Sequence, residues 1–160
     1  MGKFFGRGRL KLSSFRSSSF SSKLGPELQA NWDMSQGLTG WTAAGVTMQA
    51  VTDSGEDAVL LTAVDGVGDR GHLFISGLEI GKTYRCAVKT RRGAQGTEQD
   101  IRNFTWGTIP QTPVDTSTYK IYEFDIVATA TDGASRLYAA TGGAVGDEIY
   151  VSEVSIREIL

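Results

Sequence analysis

Side chains capable of covalent or acid–base chemistry are few in this chain and far apart. His72 is the only histidine and Cys86 the only cysteine in 160 residues. That count excludes a disulfide framework and any zinc or histidine-rich metal site built on Cys and His. A Ser-His-Asp relay would depend entirely on His72, which lies in the strand-like run His72-Leu73-Phe74-Ile75. A hydrogen-bonded or surface histidine is the ordinary occupant of such a position. Cys86 falls on the apolar side of another alternating run and reads as a small core residue. The carboxylate pairs Glu56/Asp57 and Asp147/Glu148 stand beside turn signals, where acidic side chains are commonly solvated, and nothing assigns them acid and base roles. Asp65-Gly66-Val67-Gly68-Asp69 superficially has the look of a calcium loop. It lacks the further ligands of an EF-hand and reads as a Gly-rich surface turn. No catalytic, cofactor-binding or metal-ligating residue is assigned.

Sugar recognition needs less: an exposed ring to stack on an apolar sugar face, with amides or carboxylates nearby to bond the hydroxyls. Trp106, followed by Gly107 and placed on one strand face with Phe104, is the best candidate platform, with Asn103 and Gln99 close in sequence. The competing reading puts Phe104 and Trp106 in the core, because two large rings on one sheet face usually belong inside. That reading is the favoured one, although Arg102 shares the face and a buried arginine without a partner is costly. Trp32 suits either role.

The charge is distributed unevenly. Residues 1–24 carry Lys3, Arg7, Arg9, Lys11, Arg16 and Lys23 and no acidic residue, a balance of +6. Residues 25–160 hold the other 10 basic side chains against 18 acidic ones, a balance of −8. The arm is also rich in serine, and its composition cannot bury enough apolar surface to offset the entropy of ordering, so alone it is expected to be disordered. Phe4, Phe5, Arg7, Arg9, Leu10, Leu12, Phe15, Arg16 and Phe20 are its candidate docking residues. Leu10-Lys11-Leu12 alternates as a strand added to another sheet's edge would, and 24 extended residues reach roughly 80 Å. A secretory signal needs an uninterrupted apolar run, which Arg, Lys and Gly break here. Gly6 stands where myristoylation expects Ser or Thr. An Arg- and Ser-rich, acid-free arm also has the composition of an organelle transit peptide. The preferred expectation is a mature protein that keeps its arm and folds in a reducing cytoplasm. Phosphates could attract the arm, but six charges give modest, salt-sensitive binding and the acidic domain opposes close approach, so nucleic acid ranks below protein docking. No apolar stretch is long enough to span a membrane.

Gly25-Pro26 marks the expected boundary between a docking arm, 1–24, and a domain, 25–160. Eight strand-like runs follow: Val46–Val51, Ala58–Val64, His72–Ser76, Thr83–Thr90, Ile101–Trp106, Tyr119–Ala128, Ser135–Ala140 and Glu148–Arg157. No segment sustains a 3.6-residue period. Tyr84, Cys86 and Val88 alternate with Arg85 and Lys89. Tyr122, Phe124 and Ile126 alternate with Glu123 and Asp125, and Tyr150, Val154 and Ile156 share a face opposite Glu153 and Arg157. Such half-wet strands predict antiparallel sheets, with Asp132-Gly133 as a hairpin turn. The expected fold is all-β, a jelly-roll sandwich of about eight antiparallel strands preceded by an extended arm.

Three segments carry a resemblance. Asn31-Trp32-Asp33-Met34-Ser35-Gln36-Gly37-Leu38-Thr39-Gly40-Trp41 resembles the opening motif of carbohydrate-binding-module-like jelly rolls. Leu78 to Tyr84 is similar to that family's lead into a central strand, and Ile149 to Ile156 to its closing strand. The likeness covers nearly all of 29–160 and implies a fold more firmly than a ligand. Gly37 and Gly40 would then deliver Trp41 into the sandwich as a buried cap. The family often has Asp where Ser152 stands, a carboxylate that helps to hold a structural calcium ion. A neutral serine is a weaker ligand for so hard a cation, and a calcium site is doubtful. Leu24-Gly25-Pro26-Glu27-Leu28 ahead of this opening also resembles small virion proteins of tailed bacteriophages, where such jelly rolls recur as decorations, fibres and tail appendages. The resemblance implies a non-enzymatic virion structural protein, anchored by its arm to capsid or tail subunits and oligomeric in the particle. The alternative is a carbohydrate-binding module, or a tail or fibre adhesion protein, that binds host surface glycans.

Overall fold

A computed structural model describes residues 22–66, 68–93, 99–102, 104–139 and 144–160. The docking residues expected between Phe4 and Phe20, and Asn103, lie outside the described residues. In chain order the strands are β1 (Leu24–Glu27), β2 (Trp41–Ala44), β3 (Val46–Asp53), β4 (Glu56–Ala63), β5 (Arg70–Ser76), β6 (Thr83–Arg92), β7 (Asp100–Ile101), β8 (Thr112–Pro113), β9 (Lys120–Val127), β10 (Asp132–Tyr138) and β11 (Glu148–Ile159). No helix occurs among the described residues. All pairings are antiparallel and form two sheets. One has the order β3-β4-β11-β6-β9, with β1 paired beside the last part of β11, and the other has the order β2-β5-β10-β7-β8. The result is the jelly-roll sandwich expected from the alternating runs.

The core between the sheets is built from alternate residues. Tyr84, Cys86, Val88 and Thr90 of β6 are all buried, and so are Leu73 and Ile75 of β5 and Leu137 of β10. Burial drives the Cys86 thiol far above its usual range, so it stays a protonated core group. Trp41 is buried as expected. Gly37 and Gly40 take left-handed φ values of 59° and 82° in the turns before it. Gly71 is needed as well: a Cβ there would lie 2.8 Å from both the Trp41 ring and Leu61.

Several expectations need correction. Gly25 and Pro26 lie inside β1 rather than at a break in structure, and Leu24 pairs with Ile159. Glu27 holds this short strand by accepting from the Ile156 amide at 2.8 Å and meeting Arg157 at 3.2 Å. Asp132-Gly133 is no hairpin turn, because β9 and β10 belong to different sheets and these residues pair with Ser76 and Ile75 of β5. Gly133 serves close packing instead, since a Cβ would stand 2.5 Å from Thr105 Oγ1. Of the run Ile101–Trp106 only Ile101 lies in a strand, and Phe104 and Trp106 are buried. In β11 the pairing with β6 slips between Val151 and Glu153. This bulge changes the phase, so Ile149 and Val151 are inward before it, Val154 and Ile156 after it, and Tyr150 is not on their face.

Candidate functional site

The ring named as the best stacking platform is not on the surface. Trp106 is 0% exposed and donates from Nε1 to Ser135 Oγ at 3.3 Å. Its ring packs against Phe104 at 5.7 Å and meets Tyr84 edge-on at 6.4 Å. The platform reading of Trp106 is therefore replaced by the core reading. Arg102 is not orphaned: its Nε lies 3.2 Å from Asp100 Oδ1, and its guanidinium sits over the Tyr138 ring at 4.5 Å. Trp32 is half-buried along β11, where its carbonyl accepts from the Val154 amide.

A different surface meets the requirements. The outer face of the β2-β5-β10-β7-β8 sheet is set by the register of its strands. His72 stands between Thr42 and Arg136, and Arg70 between Ala44 and Tyr138, with Asp100 beyond Tyr138. Phe74 stands beside Ala134. Along β5, Arg70, His72 and Phe74 thus follow one another at intervals of about 7 Å, while Gly71, Leu73 and Ile75 face the core. Phe74 is 57% exposed, a large ring presented to solvent on a sheet face.

Beside Phe74 lies a hollow of about 140 Å³ whose wall includes Gln29, Ala30, Asn31, Thr39 and Gly40. Asn31 builds that wall. Its Nδ2 donates to the carbonyls of Gly37 and Thr39 at 2.9 and 3.0 Å, and its Oδ1 accepts from the Gln36 amide at 2.9 Å. The Phe74 amide donates to the Gly40 carbonyl at 3.1 Å, which ties the end of this loop to β5. The opening motif is scaffold, as its resemblance implied, but the scaffold adjoins the exposed ring.

On the other side of His72 the face is polar. Arg70 donates from Nε to His72 Nε2 at 2.8 Å and from Nη1 to the Gly68 carbonyl at 2.8 Å. His72 accepts with that nitrogen and so is neutral; burial, then the charges of Arg70 and Arg136, hold its pKa below the ordinary 6.5. Asp100 is buried, and burial raises its pKa against the opposing effects of Arg102 and of Gln111, whose Nε2 donates at 2.6 Å. Tyr138 lies beneath two guanidinium groups, Arg70 at 5.5 Å and Arg102 at 4.5 Å. The guanidinium groups and imidazole are ready to bond oxygen-rich ligands, while Phe74 offers the apolar contact.

Metal and acid–base chemistry find less support. Among the described residues no three His, Cys, Asp or Glu side chains come together as a ligand set. Asp69 is engaged locally, its Oδ2 accepting from the amides of Val64, Asp65 and Gly66 at 2.8, 3.0 and 2.8 Å. Glu56 is bound by Lys89, which holds its carboxyl below its usual range. No helix long and apolar enough to cross a membrane occurs among the described residues.

No protein-family model matches this sequence, and no curated protein matches it either. Solved structures do match by fold. An arabinose-bound α-L-arabinofuranosidase superposes with a TM-score of 0.62 at 13% identity, covering 86% of this chain and 27% of its own. The enzymatically active domain of tailspike protein 4 from bacteriophage CBA120 gives 0.60 at 17% identity, covering 83% and 21%. A carbohydrate-binding module in complex with β-1,4-galactotriose gives 0.56 at 16% identity, covering 82% of this chain and 98% of the module. The fold is that of the carbohydrate-binding jelly rolls. The chain spans about a quarter of the arabinofuranosidase and about a fifth of the tailspike domain, whereas it matches the binding module over nearly its whole length.

Proposed function

We propose that this domain is a non-catalytic glycan-binding module whose ligand lies along the outer face of the β2-β5-β10-β7-β8 sheet. The observation that carries the reading is Phe74, a solvent-facing ring flanked on one side by a hollow and on the other by His72, Arg70 and Arg136. Stacking on a sugar face, with the polar side chains of His72, Arg70 and Arg136 beside it for the hydroxyls, is the recognition chemistry this surface offers. The whole-length likeness to a module bound to a galactotriose supports the same reading. Replacing Phe74 by Ala is expected to abolish retention on the polysaccharide that binds the native chain. Its unfolding free energy should stay within about 0.5 kcal/mol, because the ring is largely exposed. A Phe74→Ala protein that binds undiminished would end this assignment.

Display on a virion is compatible with this reading and rests on a different observation, the +6 arm ahead of a −8 domain. In that role residues 1–24 anchor the chain on capsid or tail subunits and the sandwich presents its glycan face outward. Deleting 1–24 is expected to leave a folded domain that no longer joins its particle; incorporation at normal occupancy would rule the anchor out.

A further inference from the structure

The charge on the glycan face is opposite in sign to that of the domain carrying it. Residues 25–160 balance to −8, and most of their cations are engaged: Lys82, Arg85, Lys89, Arg91, Arg102 and Arg157 each meet a carboxylate. Arg70 and Arg136 do not meet one among the described residues, and they stand on the same face, on either side of His72 and Tyr138. Arg136 Nε is buried and has no hydrogen-bond partner among the described residues. Arg70 uses two of its five N–H donors, one on a neutral imidazole and one on a carbonyl. The nearest carboxylate on the face, Asp100, is committed to Arg102 and Gln111. Among the described residues, three guanidinium groups less one carboxylate leave two positive charges at this end. Asp132 shares the face but lies beyond Phe74 and Ala134. Four residues along β10 from Arg136, it is about 13 Å away, more than a Debye length at physiological salt.

We infer that the ligand of this face is an acidic glycan, a sugar chain whose carboxylate is taken by Arg136 and Arg70 while a neighbouring ring stacks on Phe74. Guanidinium groups match planar carboxylates in geometry as well as charge, and charge-assisted hydrogen bonds are about twice as strong as neutral ones. The spacing fits. His72 separates Phe74 from Arg70 along β5, and Arg136 is adjacent to His72 across the sheet, so the apolar and cationic ends are roughly 7–13 Å apart. That spans the reach from a stacked ring to a carboxylate carried one or two rings further along the chain. The inference rests on the glycan reading of this face and adds the chemical class of the sugar.

The test measures binding of the full chain to polygalacturonate and alginate, and to neutral xylan, galactan and β-glucan, by affinity electrophoresis at low and high ionic strength. The native chain is expected to be retarded by an acidic polymer more strongly than by any neutral one, and less so in high salt. Arg136→Gln should weaken this retention about tenfold or more, with Arg136→Lys intermediate. Arg85→Gln, on the opposite sheet, should leave it unchanged. Because the arm is itself cationic, a full-length variant with Lys3, Arg7, Arg9, Lys11, Arg16 and Lys23 all changed to Gln is run beside these, and it should still bind. Loss of binding in that variant, or undiminished binding by Arg136→Gln, overturns the acidic-glycan assignment. Equal or stronger retention by a neutral polymer that Phe74→Ala abolishes overturns it too, and leaves the glycan reading standing. No retention by any of the five polymers counts against both.

Discussion

The two outer faces of the sandwich treat the same kind of residue in opposite ways. On the β6 side, cations are neutralised across the sheet or at its rim. Arg85 grips Asp125 through two bonds of 2.9 and 3.0 Å, Lys89 binds Glu56, and Arg91 holds Asp53 at 2.7 and 2.8 Å with its guanidinium 3.7 Å above the Tyr150 ring. On the β5 side, Arg70 and Arg136 have neighbours but no counter-charge among the described residues, and Phe74 stands uncovered beside them. Side chains that satisfy one another make a stable wet surface with little left to offer a ligand. Side chains left short of partners keep their bonding capacity for something else. The contrast supports the proposed site better than the count of aromatic residues does, since Trp106, the best platform candidate by sequence, is in the core.

The strongest way to break the comparison is to remove what holds the two sheets apart. Trp106 packs on Tyr84 of one sheet and donates to Ser135 of the other. Trp106→Ala is expected to cost about 3–5 kcal/mol, as loss of a large buried ring does. Thermal unfolding should move down by many degrees, and a negligible shift would contradict the packing described. A smaller loss should follow at the neutralised face. Arg91 and Asp53 are only 16% and 19% exposed in their side chains, so Arg91→Ala strands a poorly solvated carboxylate. Urea unfolding should register about 1–3 kcal/mol there. The corresponding truncation on the other face, Arg136→Ala, strands no acid among the described residues and should be near neutral for stability.

Titration should give the smallest effect and separate the faces once more. Asp53, Asp125 and Glu56 are held below their ordinary values by Arg91, Arg85 and Lys89. Their contribution is present at neutral pH and is lost only as pH falls toward and through those lowered pKa values. His72 is also depressed, but it is a base: the unfolded chain takes up its proton first as pH drops through about 6.5. Stability on this account declines from near pH 6.5 downward, before the carboxylates respond. His72→Gln should flatten that upper part of the profile and leave the acid limb in place. An unchanged profile would mean that the folded imidazole titrates as it does in the unfolded chain.

Much of the fold was legible because strand periodicity is local. The runs of β3, β4, β5, β6, β9, β10 and β11 were all found within a few residues of their ends, and the burial of Trp41 followed from the glycines before it. Short strands escaped. Leu24–Glu27 contains both Gly and Pro, and Thr112–Pro113 is two residues long, so neither shows a period. The candidate site was missed although its signal was present: Arg70, His72 and Phe74 alternate with Gly71, Leu73 and Ile75. By residue type alone, His72 reads as a hydrogen-bonded or surface histidine, as it is, and Phe74 as one member of an apolar run; neither reading names a ligand.

The amino-acid order alone determines which residues share a face, because successive side chains along a strand point opposite ways. It thereby settles that Arg70, His72 and Phe74 stand together, that Tyr84, Cys86 and Val88 do, and that 25–160 is acidic after a basic arm. Which cation finds a carboxylate is not contained in that order. Arg85 and Asp125 are 40 residues apart, and they meet because β6 and β9 pair in one register. Arg136 comes beside His72, rather than beside an acid, by the register of β10 on β5. Even the phase within a strand can be reset from outside, as the slip at Ser152 turns Tyr150 away from the face of Val154 and Ile156. Side-chain direction is a property of the local backbone, whereas charge partnership depends on distances between strands far apart in the chain, and those exist only once the sheets have formed.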